Sequence, residues 1–346
     1  MEKGTNLRRV LLLLLSFGFT VLIVTRFANI RQLFSTLITA NLVWIIIAVV
    51  LHLVFFYINA VLHYFSFATV GLKTRPLELL PVLFASLFIN AVVPTGGAGG
   101  AAIFVDYISQ TGQQGARAAA GVVLALISDL VTLIPFVIYG MIYLLLHGAL
   151  KFYLVIGVVI FLVYIAGLSS ILVLALKKQE MLEDIFGWIQ KTANGIGKRF
   201  SHPNLVSKEW ADKNSGDFSA GAEAITEHPK MFSLALLTGI IMHVVNVAGL
   251  YAFFVAFHQP VQPGTLFAGF SLGIIFFVIA VIPQAVGAVE GIMSLVFILL
   301  GISNARAATI AFTFRWVNFW IPVIAGLISI GKVTSEEDRK VKQAES

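Results

Sequence analysis

Apolar residues in this chain follow neither the strand period nor the period of a half-buried helix. They run on for about 20 residues at a time, the length a helix needs to cross hydrocarbon. The runs are about 7–25, 40–62, 77–93, 94–110, 117–146, 150–176, 231–257, 264–282, 283–303 and 305–331. The pattern predicts an all-α, polytopic membrane protein in which residues 1–346 form a single transmembrane domain. The first run follows Lys3, Arg8 and Arg9 as a secretory signal would, but it has no small-x-small cleavage site and reads as a retained helix.

The longest polar stretch, 178–230, carries Lys178, Lys191, Lys198, Arg199, Lys208, Lys213 and Lys230. By the bias of basic residues it faces the cytoplasm, as do the N-terminus and the tail with Lys332, Arg339, Lys340 and Lys342. About 18 of the 23 Lys and Arg then lie inside, with Arg26, Arg31, Lys151 and Arg306 outside. This orientation requires 77–110 to begin and end inside, and 264–303 to begin and end outside. Both segments break near the middle, at Pro94 followed by Gly96, Gly97, Gly99 and Gly100, and at Pro283 followed by Gly287. Proline removes an amide and glycine loosens a helix. The halves, about 15–20 residues each, are marginal for full crossings. Each segment is either a pair of full spans or a re-entrant hairpin, and re-entrant hairpins of broken helices are expected.

Shifting the chain by 189 positions aligns these segments without a gap. Pro94 meets Pro283, Gly112 meets Gly301, and Ala116-Arg117-Ala118-Ala119 meets Ala305-Arg306-Ala307-Ala308. Across 83–119, 11 of 37 positions are identical. The repeat units, about 77–146 and 264–331, enter the membrane from opposite sides, which makes an inverted-topology repeat. Many secondary transporters share that plan, with substrate sites near the midplane where discontinuous helices meet.

The order Pro283, Gly287, Glu290, Gly301, Ala305-Arg306-Ala307-Ala308 and Arg315 resembles the lysylphosphatidylglycerol synthase transmembrane-region family of flippase-like membrane proteins. Asn90, Pro94 and Asp129 fit the family's Asn, Pro and helix Asp in the first unit. The resemblance runs from about 10 to 330 and implies movement of a lipid across the bilayer. In multiple peptide resistance factors a soluble C-terminal domain makes that lipid. Here the chain continues only about 15 residues beyond the last helix, so the synthase half is expected to be absent. Ala101 stands where the resemblance implies an acid, and Ala125-Leu126 where it implies a Glu-Arg pair. Both departures weaken the expectation of a cationic lipid.

Ionisable side chains in hydrocarbon cost on the order of 3 kcal/mol or more, so each needs a partner or a cavity. Asp106, Asp129, Glu290 and Arg315 fall inside predicted helices. Arg315 is the repeat mate of Leu126, one turn from Asp129, so the repeat axis is expected to bring Asp129 and Arg315 together. Glu290 at the hairpin break would complete the polar floor of a site. Asp106 is expected near the cytoplasmic surface. The run Gly96-Gly97-Ala98-Gly99-Gly100 opens a half-helix whose amides would seat a lipid phosphate. His52, His63 and His243 are scattered, without metal-ligand spacing. Within 178–230, Met181-Leu182, Ile185-Phe186 and Trp188-Ile189 share one helical face, as suits a helix lying on an anionic inner leaflet.

Composition closes off other classes. At 59% hydrophobic, 12% charged and a mean hydropathy of +0.94, the chain lies far from soluble domains. Its +6 charge sits in loops, where it sets orientation and does not point to nucleic acid. The absence of cysteine excludes disulfides and thiolate chemistry. No catalytic constellation, ATP-binding signature or cofactor motif is present, so an enzyme is not expected. The expected function is a flippase or transporter for a polar or anionic lipid headgroup in the cell membrane, with both termini cytoplasmic. The rivals are a membrane subunit of a lipid-modifying transferase and a non-transporting scaffold. Membrane lipids are the expected partners, and homo-oligomerisation is left open.

Overall fold

The computed structural model describes residues 40–93, 97–177, 179–199, 210–280, 283–285 and 287–344, and these form helices joined by short turns. In chain order the helices are α1 (Leu42–Thr69), α2 (Pro76–Val92), α3 (Ala98–Gln110), α4 (Gly115–Leu146) and α5 (Phe152–Lys177). They continue with α6 (Gln179–Arg199), α7 (Trp210–Glu227), α8 (Pro229–Ala256), α9 (Pro263–Ile279), α10 (Ala288–Leu299) and α11 (Asn304–Ala344). A single 3₁₀ turn, Pro283–Ala285, lies between α9 and α10.

Helices α1, α4, α5, α8 and the Asn304–Ser329 part of α11 are long and apolar enough to cross a membrane. The run expected at 7–25 lies outside the described residues. Local sequence accounts for the helix starts: Asn41 Oδ1 accepts from the Val43 amide at 3.1 Å, and α2, α8 and α9 open on proline. Pro81, Pro135 and Pro322 sit inside helices without ending them. Each removes one amide donor, which a helix packed among neighbours tolerates. Large apolar side chains such as Phe152, Val159 and Val163 of α5 point outward, the surface that hydrocarbon would cover.

Adding 189 to the first residues of α1, α2, α3 and α4 gives 231, 265, 287 and 304, against observed starts at 229, 263, 288 and 304 for α8, α9, α10 and α11. The correspondence therefore includes α1 and α8, one helix upstream of the hairpins. These mates pack along each other. The Asn41 amide donates to the Ala256 carbonyl at 2.9 Å, so the start of α1 meets the end of α8 and the two run antiparallel. The hairpins are exchanged between units: α2 packs on α11, and α9 packs on α4. Small residues permit both contacts. A Cβ on Gly326 would come within 2.3 Å of the Phe84 carbonyl oxygen, and one on Gly140 within 2.8 Å of the Ala268 backbone.

The hairpin arms are short. Helices α2 and α3 have 17 and 13 residues, and α9 and α10 have 17 and 12. At about 1.5 Å per residue none reaches the roughly 30 Å of a hydrocarbon core. The insert contains two helices where the sequence pointed to one. Helix α7 packs on α4, with Gly221 against Ala120 and Arg117, and its Phe218 ring meets Phe186 of α6 at 5.9 Å. Its small and polar residues gave no apolar run to read.

Candidate functional site

The second hairpin breaks between Ile279 and Ala288. Gly287, at φ +85°, opens α10, and Glu290 one turn later accepts from the Gly287 amide through Oε2 at 2.8 Å. Arg315 reaches this break from α11. Its Nε lies 3.9 Å from Glu290 Oε1, one of its terminal nitrogens donates to the Gln284 carbonyl, and its guanidinium lies 5.0 Å from the centre of the Phe277 ring. The Arg315 and Glu290 side chains are only 8% and 10% exposed. Gln284 and Ala285 hold φ of 52° and 48°, a left-handed conformation that costs a non-glycine residue about 1–2 kcal/mol. The grip of Arg315 on the Gln284 carbonyl holds that conformation in place. The turn also packs against α2, so the break of one hairpin lies beside the first arm of the other.

The first hairpin is clasped differently. Its break follows Val92, and Pro94 and Gly96 lie outside the described residues. Gly97, at φ +95°, is exposed and opens α3. Ala101 occupies the position equivalent to Glu290 and offers no acceptor. Instead Asn90 of α2 reaches across, its Oδ1 accepting from the buried Gly100 amide at 2.8 Å. Gly97 and Ala98, at the first turn of α3, are exposed, whereas Glu290 folds back over the first turn of α10.

Asp129 stands halfway along α4. His243, halfway along α8, places Nε2 3.2 Å from Asp129 Oδ1 and 2.9 Å from the Asp129 carbonyl oxygen. The expected meeting of Asp129 with Arg315 is therefore replaced by two separate pairs, Asp129 with His243 and Arg315 with Glu290. The reason is packing: α8 lies directly on α4, while Arg315 turns to the break within its own unit. His243 was passed over because no spacing links it to Asp129, 114 residues away. Only its mid-helix position on the mate of α1 hinted at it. Gln284 was also missed, since its contribution comes from its backbone carbonyl. Asp106 is exposed near the end of α3 and accepts from Gln110 at 2.9 Å.

Residues 10–326 match the family described as lysylphosphatidylglycerol synthase TM region. The chain is 22% identical over 324 residues to a UPF0104 membrane protein of Pyrococcus horikoshii, covering 92% of this chain and 96% of the relative. It is 22% identical over 312 residues to a UPF0104 membrane protein of Methanothermobacter thermautotrophicus, covering 87% and 89% of the two chains. A third UPF0104 relative, from Methanocaldococcus jannaschii, is 20% identical over 354 residues, covering 98% and 99%. No solved structure matches the chain. With its helices, exchanged hairpins and buried charged break now described, the chain belongs to the lysylphosphatidylglycerol synthase TM region family of multi-pass membrane proteins.

Proposed function

We propose that this protein is a transporter or flippase that moves a polar or anionic lipid headgroup across the cell membrane by alternating exposure around its two hairpins. The observation that carries the reading is the buried Arg315–Glu290 pair at the break of the second hairpin, against the first arm of the other. Burying two charges is a poor way to gain stability, because desolvation offsets their attraction. A site that must receive an anion has a use for it. The pair is long at 3.9 Å and is no tight fork, so a headgroup phosphate can compete with Glu290 for the guanidinium. The exposed start of α3, at Gly97 and Ala98, would offer amides to the same headgroup from the other hairpin.

In this reading both hairpins enter the membrane and return on the side they left, and both termini face the cytoplasm. Rocking of one unit against the other at the α1–α8 contact would expose the breaks first to one face and then to the other. The protein changes the position of the lipid and not its bonds. The family's link to a synthase for lysylphosphatidylglycerol supports a lipid substrate.

The test is reconstitution into liposomes holding fluorescent phospholipids of several headgroups in the inner and outer leaflets, with an impermeant quencher added outside. Wild type should expose inner-leaflet probe faster than empty liposomes. Glu290→Ala and Arg315→Ala should lose most of that rate when compared at equal amounts of folded protein. Equal rates for wild type and protein-free liposomes with every headgroup would sink the reading.

A further inference from the structure

The two polar pairs differ in what they can neutralise. Arg315 and Glu290 cancel each other's charge. Asp129 has only imidazoles for company: among the described residues no Lys or Arg lies within ion-pair distance of it. His243 faces it from α8, and His63 of α1 lies within its electrostatic range. His63 is fixed, with Nδ1 3.0 Å from the Asn59 carbonyl oxygen and its ring stacked on Phe104 at 4.5 Å. The net charge of this cluster therefore depends on protons alone.

The geometry also says where a variable proton goes. His243 Nε2 faces two acceptors, the Asp129 carbonyl oxygen and Oδ1, so Nε2 carries the hydrogen. Among the described residues Nδ1 is buried without a hydrogen-bond partner, and the imidazole ring lies 5.5 and 6.0 Å, centre to centre, from the rings of Phe136 and Phe270. A second proton there would bury an N–H and a charge with nothing to accept them. The Asp129 side chain, by contrast, is 33% exposed. The carboxylate is the half that can take up a proton. When it does, the pair becomes neutral carboxyl and neutral imidazole, and an isolated negative charge halfway along two membrane-spanning helices disappears. The repeat does not duplicate this pair: the mates of Asp129 and His243 are Asn318 and Val54, neither of which titrates. Packing inherited from the repeat does not explain it.

We propose that the Asp129–His243 pair is a proton-binding site, loaded on the Asp129 carboxylate, whose proton drives the lipid movement described above. A proton from water on one face converts the carboxylate to a carboxyl, and it leaves to water on the other face after the units rock. The coupling rests on the transport reading; the proton site does not.

Infrared titration of the full chain in lipid nanodiscs, from acidic to neutral pH, reads the site without any transport. Wild type and Glu290→Gln should both show a protonated-carboxyl C=O band that grows as pH falls, and Asp129→Asn should lack it. His243→Phe keeps a ring but removes the N–H that the Asp129 carboxylate accepts, so at a given acidic pH the protonated-carboxyl band should be severalfold stronger than in wild type. A band that persists in Asp129→Asn, or one unchanged in His243→Phe, overturns the site. In liposomes, reversing an imposed pH gradient should change the wild-type rate of lipid movement severalfold and leave the Asp129→Asn rate much less affected. A wild-type rate indifferent to the gradient overturns the coupling while the infrared result stands. If wild type moves no lipid under any gradient, the transport reading and the coupling fall together and the proton site remains.

Discussion

Asn90 Oδ1 lies 2.8 Å from the Gly100 amide nitrogen, so one side chain ties the two arms of the first hairpin together across the break. The fit is close. A Cβ at Gly100 would lie 2.3 Å from Asn90 Nδ2 and 2.4 Å from Ser86 Oγ. The break of the second hairpin is gripped from outside by Arg315 of α11. The two hairpins are alike in outline and unlike in these two contacts.

The strap makes a non-additive prediction. Asn90→Ala leaves the buried Gly100 amide without its acceptor and should cost about 1–3 kcal/mol. Gly100→Ala forces its methyl into Asn90 and should cost a similar amount. The double variant should cost clearly less than the sum, because a truncated Asn90 no longer collides with the new methyl. Unfolding equilibria in mixed micelles measure all three, and strict additivity would mean the two residues do not touch.

The Arg315–Glu290 pair separates stability from function. Arg315→Met alone strands a buried carboxylate and should destabilise the protein by about 3–5 kcal/mol. Adding Glu290→Leu removes that charge and should restore most of the stability, since apolar side chains often replace a buried ion pair without loss. Lipid movement should stay lost in the double variant. Recovery of transport along with stability would assign the pair to packing.

The backbone was legible where physics is local. Continuous apolar runs gave the long helices, and Pro94, Gly97, Pro283 and Gly287 marked the two breaks, because a missing amide or a positive φ is a property of the residue itself. The 189-residue shift gave the mates for the same reason. Side-chain partnerships were not legible. Asp129 meets His243 because α8 packs on α4, and nothing in either residue's neighbourhood encodes that contact. Arg315 binds a backbone carbonyl of Gln284, an acceptor every residue owns. Helix α7 escaped because it is held by glycine and alanine contacts to α4 and lacks an apolar stripe of its own.

Strain at the second break can be relieved by glycine. Gln284, at φ 52° and ψ 17°, occupies the left-handed region without being glycine, and Arg315 bonds its backbone carbonyl, which a substitution retains. Gln284→Gly should therefore stabilise the fold by about 1 kcal/mol. Gln284→Val should destabilise it, since a β-branched side chain tolerates that region worst. A denaturation midpoint that falls for Gln284→Gly would mean that the side chain matters more than the backbone strain.

Orientation yields to cysteine labelling, helped by a chain that has no cysteine of its own. Lys151 immediately precedes α5, and Lys191 lies in the second half of α6, the helix that follows α5. Both are exposed. The 26 residues of α5 between them span roughly 39 Å, more than the roughly 30 Å of a hydrocarbon core, so the two sites emerge on opposite faces. In intact cells a membrane-impermeant maleimide should label Lys151→Cys and should label Lys191→Cys only after permeabilisation. A third site, Trp188→Cys on the outward face of α6, carries the interfacial reading of that helix. Trp188 is 66% exposed and sits beside exposed Ile185 and Ile189, so a spin label there should be reached by oxygen dissolved in lipid more readily than by an aqueous nickel chelate. The reverse accessibility would detach α6 from the membrane surface. Labelling of Lys191→Cys in intact cells would turn the whole bundle over, and with it the side from which each hairpin opens.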